Sequence, residues 1–139
     1  MVLTEPSSFR DPAGFVFKKA GILYRQINLV GKEDFDLLIN SGLYDKLVAE
    51  KLLVAHETVD TKTFSVTNDA YKVIRPEAIE FISYPYEWTP AQLQAAALLT
   101  LKIQQLALQH GLILKDATAY NIQFIGKRPV FIDTLSFKK

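Results

Sequence analysis

The chain has 139 residues, of which 49% are apolar, and a formal net charge of +1; we expect one globular domain with a modest core. We expect neither a nucleic acid nor a membrane as partner, because the charge is small and no apolar run approaches the roughly 18 residues of a membrane span. The chain has no cysteine, so it has neither a disulfide nor a cysteine nucleophile. His56 and His110 lack the spacing of a zinc site. The N-terminus has no signal-peptide core, and we therefore expect a cytoplasmic protein.

The first predicted element is a β-hairpin. Residues 1–13 form an irregular lead-in that contains prolines and serines. Two apolar runs, at 14–19 and 22–27, flank Ala20-Gly21, which is typical of two strands joined by a tight turn. The hairpin lacks the run of glycines that lets a backbone surround phosphate groups, so it does not predict a phosphate-binding loop.

A helical pattern follows over residues 32–54. Phe35, Leu38 and Ile39 share one helix face. Ser41-Gly42 favours a break into two helices. His56 comes just after this region, where a histidine is typically a surface or capping residue.

Residues 58–86 have a β-like pattern. Short strands are predicted at 71–74 and 79–82, on either side of Arg75-Pro76. The segment 83–88, SYPYEW, is the most aromatic part of the chain. Rigid aromatic side chains with polar ends suit an interface or a pocket wall, and they equally suit the packing of a connecting segment onto a core.

The next helix has clear signals at both ends. Thr89-Pro90-Ala91-Gln92 is a capping box with proline at the first helical position, and Gly111 is a typical terminator after His110. Between these signals the helix is apolar on nearly all sides, which predicts that it is buried in the middle of its domain. Its glutamines and Lys102 argue against a membrane helix.

Three polar residues after this helix have the spacing of a phosphotransfer site. Asp116 and Asn121 fit D-x-x-x-x-N, and Asp133 ends the second of two apolar runs that are joined by a turn at 126–129. Carboxylate and amide oxygens are the hard ligands that Mg²⁺ prefers. The plainer alternative is an ordinary β-hairpin whose acidic ends are solvated.

The changes of period along the chain, from 2 to 3.6 and back, predict an α+β fold. Its expected parts are an N-terminal β-hairpin, a helical pair, a small antiparallel sheet, one long buried helix and a final hairpin. A parallel, doubly wound sheet would contradict this prediction.

Several segments resemble the opening region of bacterial class I SAM-dependent methyltransferases, some of which are described as related to a nodulation protein. These segments cover almost the whole chain and include RDPAGFVF, SGLYDKLV, YKVIRPEAIEFISYPYEW and LKDATAYNIQF. In that family the methyltransferase domain lies further along the chain. The resemblance therefore implies a SAM site in a different domain, and this sequence has no glycine-rich strand–turn–helix that would hold SAM.

Residues 110–134 are also similar to the protein kinase and aminoglycoside-phosphotransferase fold, and residues 14–109 are loosely similar to it. The resemblance implies a single kinase-like domain, with an N-lobe-like part at 1–88 and the start of a C-lobe-like part at 89–139. No lysine can be assigned to the ATP-pairing position of that fold.

The same resemblance implies roles for three residues. Asp116 matches the catalytic-loop aspartate, while Asn121 and Asp133 match the residues that hold Mg²⁺ and, through it, a nucleotide. Two positions depart from the kinase pattern: Leu114 stands where the family has histidine, and Thr134-Leu135 where it has Phe-Gly. These departures argue against catalytic activity more strongly than they argue against a kinase-like fold.

Three function hypotheses follow. The favoured one is a non-catalytic, kinase-like accessory module of a methyltransferase-family protein, which binds a partner domain or a small ligand. The others are a phosphotransferase-like fragment with a residual Mg²⁺-nucleotide site and a purely structural scaffold. We expect the chain to pack against a downstream methyltransferase domain or to self-associate, because a kinase-like lobe without its later helices leaves apolar surface uncovered.

Overall fold

The computed structural model describes residues 2–4, 11–79, 82–116 and 118–139. It confirms the α+β class, because helices alternate with sheets whose strands are all antiparallel. Within the described ranges, none of the helices combines the length and the apolar character that crossing a membrane requires.

The chain divides into two compact units, and the division differs from the sequence-based boundary at residue 88. The first unit contains residues 1–33 and 55–78, and the second contains residues 34–54 and 79–139. The two helices predicted before residue 54 are confirmed as α1 (Lys32–Asn40) and α2 (Leu43–Ala49). Segment 34–54 belongs to the second unit because its leucines are buried in the core of that unit.

The first unit is built on a five-stranded antiparallel sheet with the order β1-β2-β3-β5-β4. The strands are β1 (Val2–Thr4), β2 (Gly14–Lys19), β3 (Ile22–Asn28), β4 (His56–Val59) and β5 (Ala70–Pro76). The predicted hairpin is confirmed as β2 and β3, and its turn residues Ala20 and Gly21 have φ angles of 53° and 78°. Strand β1 falls in the segment that was expected to be irregular, since it gains its hydrogen bonds by pairing with β2.

Between β4 and β5 the chain forms a short helix, α3 (Thr61–Phe64), where the β-like pattern predicted extended chain. The carboxylate of Asp60 accepts hydrogen bonds from the backbone N–H of Lys62, at 3.3 Å, and from the Thr63 hydroxyl. The Thr63 hydrogen bond lowers the pKa of Asp60. The Asp60 carboxylate thus satisfies a backbone N–H within the segment itself, whereas a strand would need a neighbouring strand to accept it. This local capping favours the helical turn over the strand that the sequence pattern predicted.

The two strands expected between residues 71 and 82 have different outcomes. The first is confirmed within β5. The second, at 79–82, lies partly outside the described residues, and the described Ile79 and Ile82 are not in a strand.

A buried amide holds the loop before β5 to the sheet. Gln26 of β3 is fully buried. Its Oε1 accepts the backbone N–H groups of Val66, at 2.7 Å, and Thr67, at 3.3 Å. Its Nε2 donates to Asn28 Oδ1, at 2.9 Å, and to Thr67 Oγ1, at 2.6 Å. The amide is therefore satisfied on both sides, which removes most of the cost of burying it.

The second unit combines α1 and α2 with one long helix and two short pairs of strands. These elements are α4 (Pro90–Gln109), β6 (Ile113–Leu114), β7 (Ile122–Ile125), β8 (Arg128–Phe131) and β9 (Phe137–Lys138). The predicted hairpin is confirmed as β7 and β8, and β6 pairs with β9. Phe131 donates its N–H to Leu52 O at 2.8 Å and accepts from Val54 N at 2.9 Å, which ties β8 to the end of segment 34–54.

Helix α4 begins and ends as predicted but is buried on one face only. Thr89 Oγ1 accepts the N–H of Gln92 at 3.2 Å, and Gln92 Oε1 accepts the N–H of Thr89 at 2.9 Å. The buried residues are Ala96, Leu99, Ile103, Leu106 and Ala107. The opposite face is exposed because elements such as α2, β6 and β8 pack on the face that these residues form. An apolar composition cannot indicate which side of a helix has neighbours.

His56 lies in β4 and is not a capping residue at a helix end. It is partly buried, and burial together with the smaller effect of the Lys72 charge lowers its pKa to about 4. Folding therefore favours the neutral imidazole, which couples the stability of the chain to pH.

We predict that the free energy of unfolding decreases as pH falls from 6.5, the ordinary pKa of histidine, to about 4. In this window the unfolded chain binds a proton at His56 and the folded chain does not, so the contribution is complete above pH 6.5 and is lost on acidification. The lowered pKa of His56 corresponds to a loss of about 3 kcal/mol in the free energy of unfolding over this window. Because the imidazole is partly exposed to solvent, we expect a smaller loss of about 1–2 kcal/mol. Urea unfolding from pH 4 to 7 should show a weaker pH dependence in His56→Gln than in the unmodified chain. Equal pH dependence in the two chains would contradict the prediction.

Candidate functional site

The loop that carries Asp116 is positioned by the end of α4 and by β6. Gly111, with a φ of 80°, reverses the chain after the helix, as predicted for its terminator. The N–H of Leu114 donates to Gln104 Oε1 on α4 at 2.8 Å. The N–H of Lys115 then donates to Ser136 O at 2.7 Å, which places the start of the loop beside the turn that follows Asp133.

The carboxylate of Asp116 is exposed and bonds to its own loop. Its Oδ1 accepts the backbone N–H of Thr118 at 3.2 Å. Thr118 Oγ1 in turn accepts the N–H of Tyr120 at 3.4 Å. These are local side-chain-to-backbone bonds of the kind that hold turns, and they give Asp116 a structural role in this loop.

Asn121 and Asp133 are brought together through Ser136. Asn121 Nδ2 donates to Ser136 Oγ at 3.2 Å, and Ser136 Oγ donates to Asp133 Oδ2 at 2.8 Å. Asp133 Oδ1 accepts the N–H of Leu135 at 2.9 Å, and the backbone of Asn121 accepts from Ile132 N at 2.8 Å. The three side chains form a continuous hydrogen-bonded chain across the end of the β7–β8 hairpin, which we call the Ser136 network.

The hydrogen bonds of the three motif residues fall into two groups. Asn121 and Asp133 share the Ser136 network, whereas the described bond of Asp116 is to Thr118. In the described part of the chain, no three histidine, aspartate or glutamate side chains are grouped in a way that could hold a metal ion. What the arrangement offers chemically is one carboxylate and one amide close together, which is a partial set of ligands for a hard cation.

Two residues of this region were missed by sequence reasoning. Ser136 is 1% exposed and joins the two predicted ligands. Thr134 is 3% exposed, and its hydroxyl has no hydrogen-bond partner among the described residues. The spacing Asp133-x-x-Ser136 was a usable signal, because aspartate commonly caps a tight turn of this length.

An apolar groove lies next to this site. Its volume is about 370 Å³. It is lined by residues of α4, of the turn before β7 and of the start of β7, namely Leu93, Ala96, Ala97, Thr100, Leu101, Ala119 and Ile122. The Thr100 hydroxyl donates to Ala96 O at 3.0 Å, so the groove presents almost no free polar group.

The groove continues into an exposed apolar surface on α4. Successive residues of a helix advance by about 100°, so Leu93, Ala97, Leu101 and Leu108 lie along one side of α4. We call this surface the outer stripe. Leu101 is 67% exposed and Leu108 is 59% exposed. Leu93, Ala97 and Leu101 belong both to the outer stripe and to the wall of the groove.

We predict that Asp133→Ala lowers the free energy of unfolding by about 2 kcal/mol, because it removes two accepted hydrogen bonds and leaves the Ser136 hydroxyl without its acceptor. Asp116→Ala should cost less than about 1 kcal/mol, because the lost bond is exposed to water. Urea unfolding of the two variants beside the unmodified chain measures both effects. A larger loss in Asp116→Ala than in Asp133→Ala would contradict the structural role of the Ser136 network.

Comparison with known proteins places this geometry in a wider context. No family model matches the chain. The chain is 39% identical over 132 residues to nodulation protein NoeA of Rhizobium meliloti (strain 1021). The match covers 94% of this chain and 27% of the relative, so the chain spans about a quarter of the length of that protein. No solved structure matches. The chain is therefore similar to one part of a bacterial nodulation protein.

Proposed function

We propose that this chain is a non-catalytic, kinase-like accessory module of a larger, nodulation-related protein of the SAM-dependent methyltransferase kind. Its role is to pack against a neighbouring domain of the same polypeptide. The observation that carries the proposal is the outer stripe of α4, a row of exposed apolar side chains on the longest helix among the described residues.

The size and character of the outer stripe support a packing role. Its leucines extend over sixteen positions of α4, from Leu93 to Leu108, or about 22 Å at 1.5 Å per residue. Exposed leucines grouped along one side of a helix are typical of a contact between proteins or domains. The adjoining groove adds a concave apolar site that a large side chain of the neighbouring domain would fill.

A domain of the same polypeptide is the occupant that the similarity to NoeA supports. The aligned part is 27% of that protein, so most of its length lies outside the aligned part. A neighbouring domain in one polypeptide is present at high effective concentration, which permits a modest interface to remain closed. Methyl transfer in this proposal belongs to such a domain, and SAM would bind there.

The contacts of the expected phosphotransfer residues support a non-catalytic role. Asp116 accepts a backbone hydrogen bond in its own loop. Lys19, a cation on the N-terminal hairpin, donates to Thr63 O at 3.2 Å and lies 4.8 Å from the centre of the Phe64 ring. Because the hairpin also lacks a glycine-rich loop, the chain has little that would orient a triphosphate.

We predict that Leu101→Glu abolishes packing on the neighbouring domain, because closing the contact would bury an unpaired carboxylate. The binding partner in the assay is the part of NoeA outside the aligned region, expressed separately. Isothermal titration calorimetry should show at least about tenfold weaker binding for the variant. Its unfolding free energy should change by less than about 0.5 kcal/mol, since Leu101 is exposed.

Gln109→Glu is the matched control for this experiment. It adds the same charge to the same helix at an exposed position outside the outer stripe, and its binding should equal that of the unmodified chain. Equal binding by Leu101→Glu and Gln109→Glu would contradict the proposal. The competing explanation is that a second copy of the chain covers the outer stripe. Sedimentation velocity of the chain alone would detect such a dimer.

The Ser136 network supports one alternative function, a residual Mg²⁺-nucleotide site. Asn121 and Asp133 would hold the ion, which would supply charge neutralisation of the phosphates, and Asp116 would orient an acceptor hydroxyl. The chemistry of the two residues fits a Mg²⁺ ion that takes its remaining ligands from water and phosphate.

For this alternative we predict only a small effect of Mg-ATP on stability. A ligand at tenfold its dissociation constant raises the free energy of unfolding by about 1.4 kcal/mol. We expect a smaller rise than this at about 5 mM Mg-ATP, because no phosphate-binding loop assists the two residues. Thermal unfolding with and without Mg-ATP measures the rise. A shift above this size that disappears in Asp133→Asn but persists in Asp116→Asn would favour the nucleotide site over the accessory module.

A further inference from the structure

Two exposed tyrosines form a parallel pair in the segment before α4. The ring centres of Tyr84 and Tyr86 are 5.6 Å apart and the ring planes differ by 2°. Tyr84 is 46% exposed and Tyr86 is 78% exposed. Because one face of Tyr86 lies against Tyr84, this large exposure means that its other face is open to solvent.

The backbone around the pair is fixed by several hydrogen bonds. Tyr84 N–H donates to Glu87 Oε1 and Glu87 N–H donates to Tyr84 O, both at 2.8 Å. The segment is held at each side of this turn: Ser83 N–H donates to Gln123 Oε1 at 2.9 Å, and Trp88 Nε1 donates to Ser83 Oγ at 2.9 Å. The Trp88 ring is buried edge-on against Phe124, with 5.0 Å between ring centres. A partner that binds the tyrosines would therefore lose little entropy in ordering this loop.

The segment that carries the pair has negative and no positive side chains. Glu87 is exposed, and its Oε1 accepts from Tyr84 N, which places the carboxylate beside the backbone of the first tyrosine of the pair. The sequence contains no lysine or arginine between Arg75 and Lys102. The open face of a tyrosine ring is itself electron-rich, and it attracts cations within about 6 Å of its centre.

We propose that Tyr84, Tyr86 and Glu87 bind an arginine-bearing segment of a partner protein. A guanidinium group is planar, stacks on an aromatic face and donates hydrogen bonds in a fixed fork to a carboxylate. The open face of Tyr86 provides the stacking surface, and Glu87 provides the acceptor. This surface is separate from the outer stripe of α4, and its function does not depend on that surface.

The experiment uses the whole chain and the peptide acetyl-Gly-Arg-Gly-Arg-Gly-amide in an NMR titration at low salt. The amide signals of the segment 82–89 should shift and saturate. Raising the salt from about 20 to about 300 mM should weaken the binding, because the Glu87–arginine attraction is screened. The peptide with glutamate in place of arginine should cause no saturable shift.

Two variants and one control test the residues. Tyr86→Ala should weaken binding of the arginine peptide by about three- to tenfold, as expected for loss of a cation–π contact. Glu87→Gln should weaken binding and reduce its salt dependence, while its amide oxygen still accepts from Tyr84 N. Tyr120→Ala removes a tyrosine that is 60% exposed elsewhere, and it should bind as the unmodified chain does.

Three results would overturn the proposal. One is equal binding of the arginine and glutamate peptides. Another is unchanged binding by Tyr86→Ala, with thermal unfolding confirming that the variant is folded. The third is tighter binding of acetyl-Gly-Pro-Pro-Pro-Gly-amide than of the arginine peptide, which would assign the tyrosines to a neutral, proline-rich partner.

Discussion

The second unit depends on the burial of one face of α4. Ile103 and Ala107 of this helix are fully buried, together with Leu43 and Leu47 of α2 and with Phe131 of β8. Burial of apolar surface stabilises a fold by about 25 cal/mol per Å², and most of the described core residues of this unit are apolar. Gln104, on the same helix, accepts from Leu114 and so sets the position of the loop that follows. The geometry of the candidate site thus derives from the packing of α4.

The Ser136 network shows how residues with the spacing of a catalytic motif can serve the fold. A buried hydroxyl between an amide and a carboxylate needs both partners, because an unsatisfied group in such a place costs about 1–3 kcal/mol. Asn121 and Asp133 meet that need at the end of a hairpin whose strands are only four residues long. Polar residues of this kind stabilise a short hairpin whether or not an ion is bound.

Elements with strong local signals could be predicted from the sequence. The capping box at Thr89 and the turn at Ala20-Gly21 depend only on residues next to one another, and both are confirmed. Strand β1 could not be predicted, because it exists through pairing with β2. The same limit applies to the candidate site: Ser136 meets Asn121 across fifteen positions of sequence, so no local pattern shows that contact. The exposure of half of α4 is likewise a property of its neighbours.

The fully satisfied amide of Gln26 has a consequence for alternative pairings of β3. If β3 slipped by one residue against β5, every side chain of the strand would turn to the other face of the sheet. The Gln26 amide would then lose its hydrogen bonds to Val66, Thr67 and Asn28. Both the amide and the groups that it binds would be left without these partners. Apolar residues on both sides of a strand would be buried in either register and so discriminate weakly between the two. A buried amide with several hydrogen-bond partners is satisfied in only one register. Gln26 therefore acts against misfolded forms of the sheet as well as stabilising the native one.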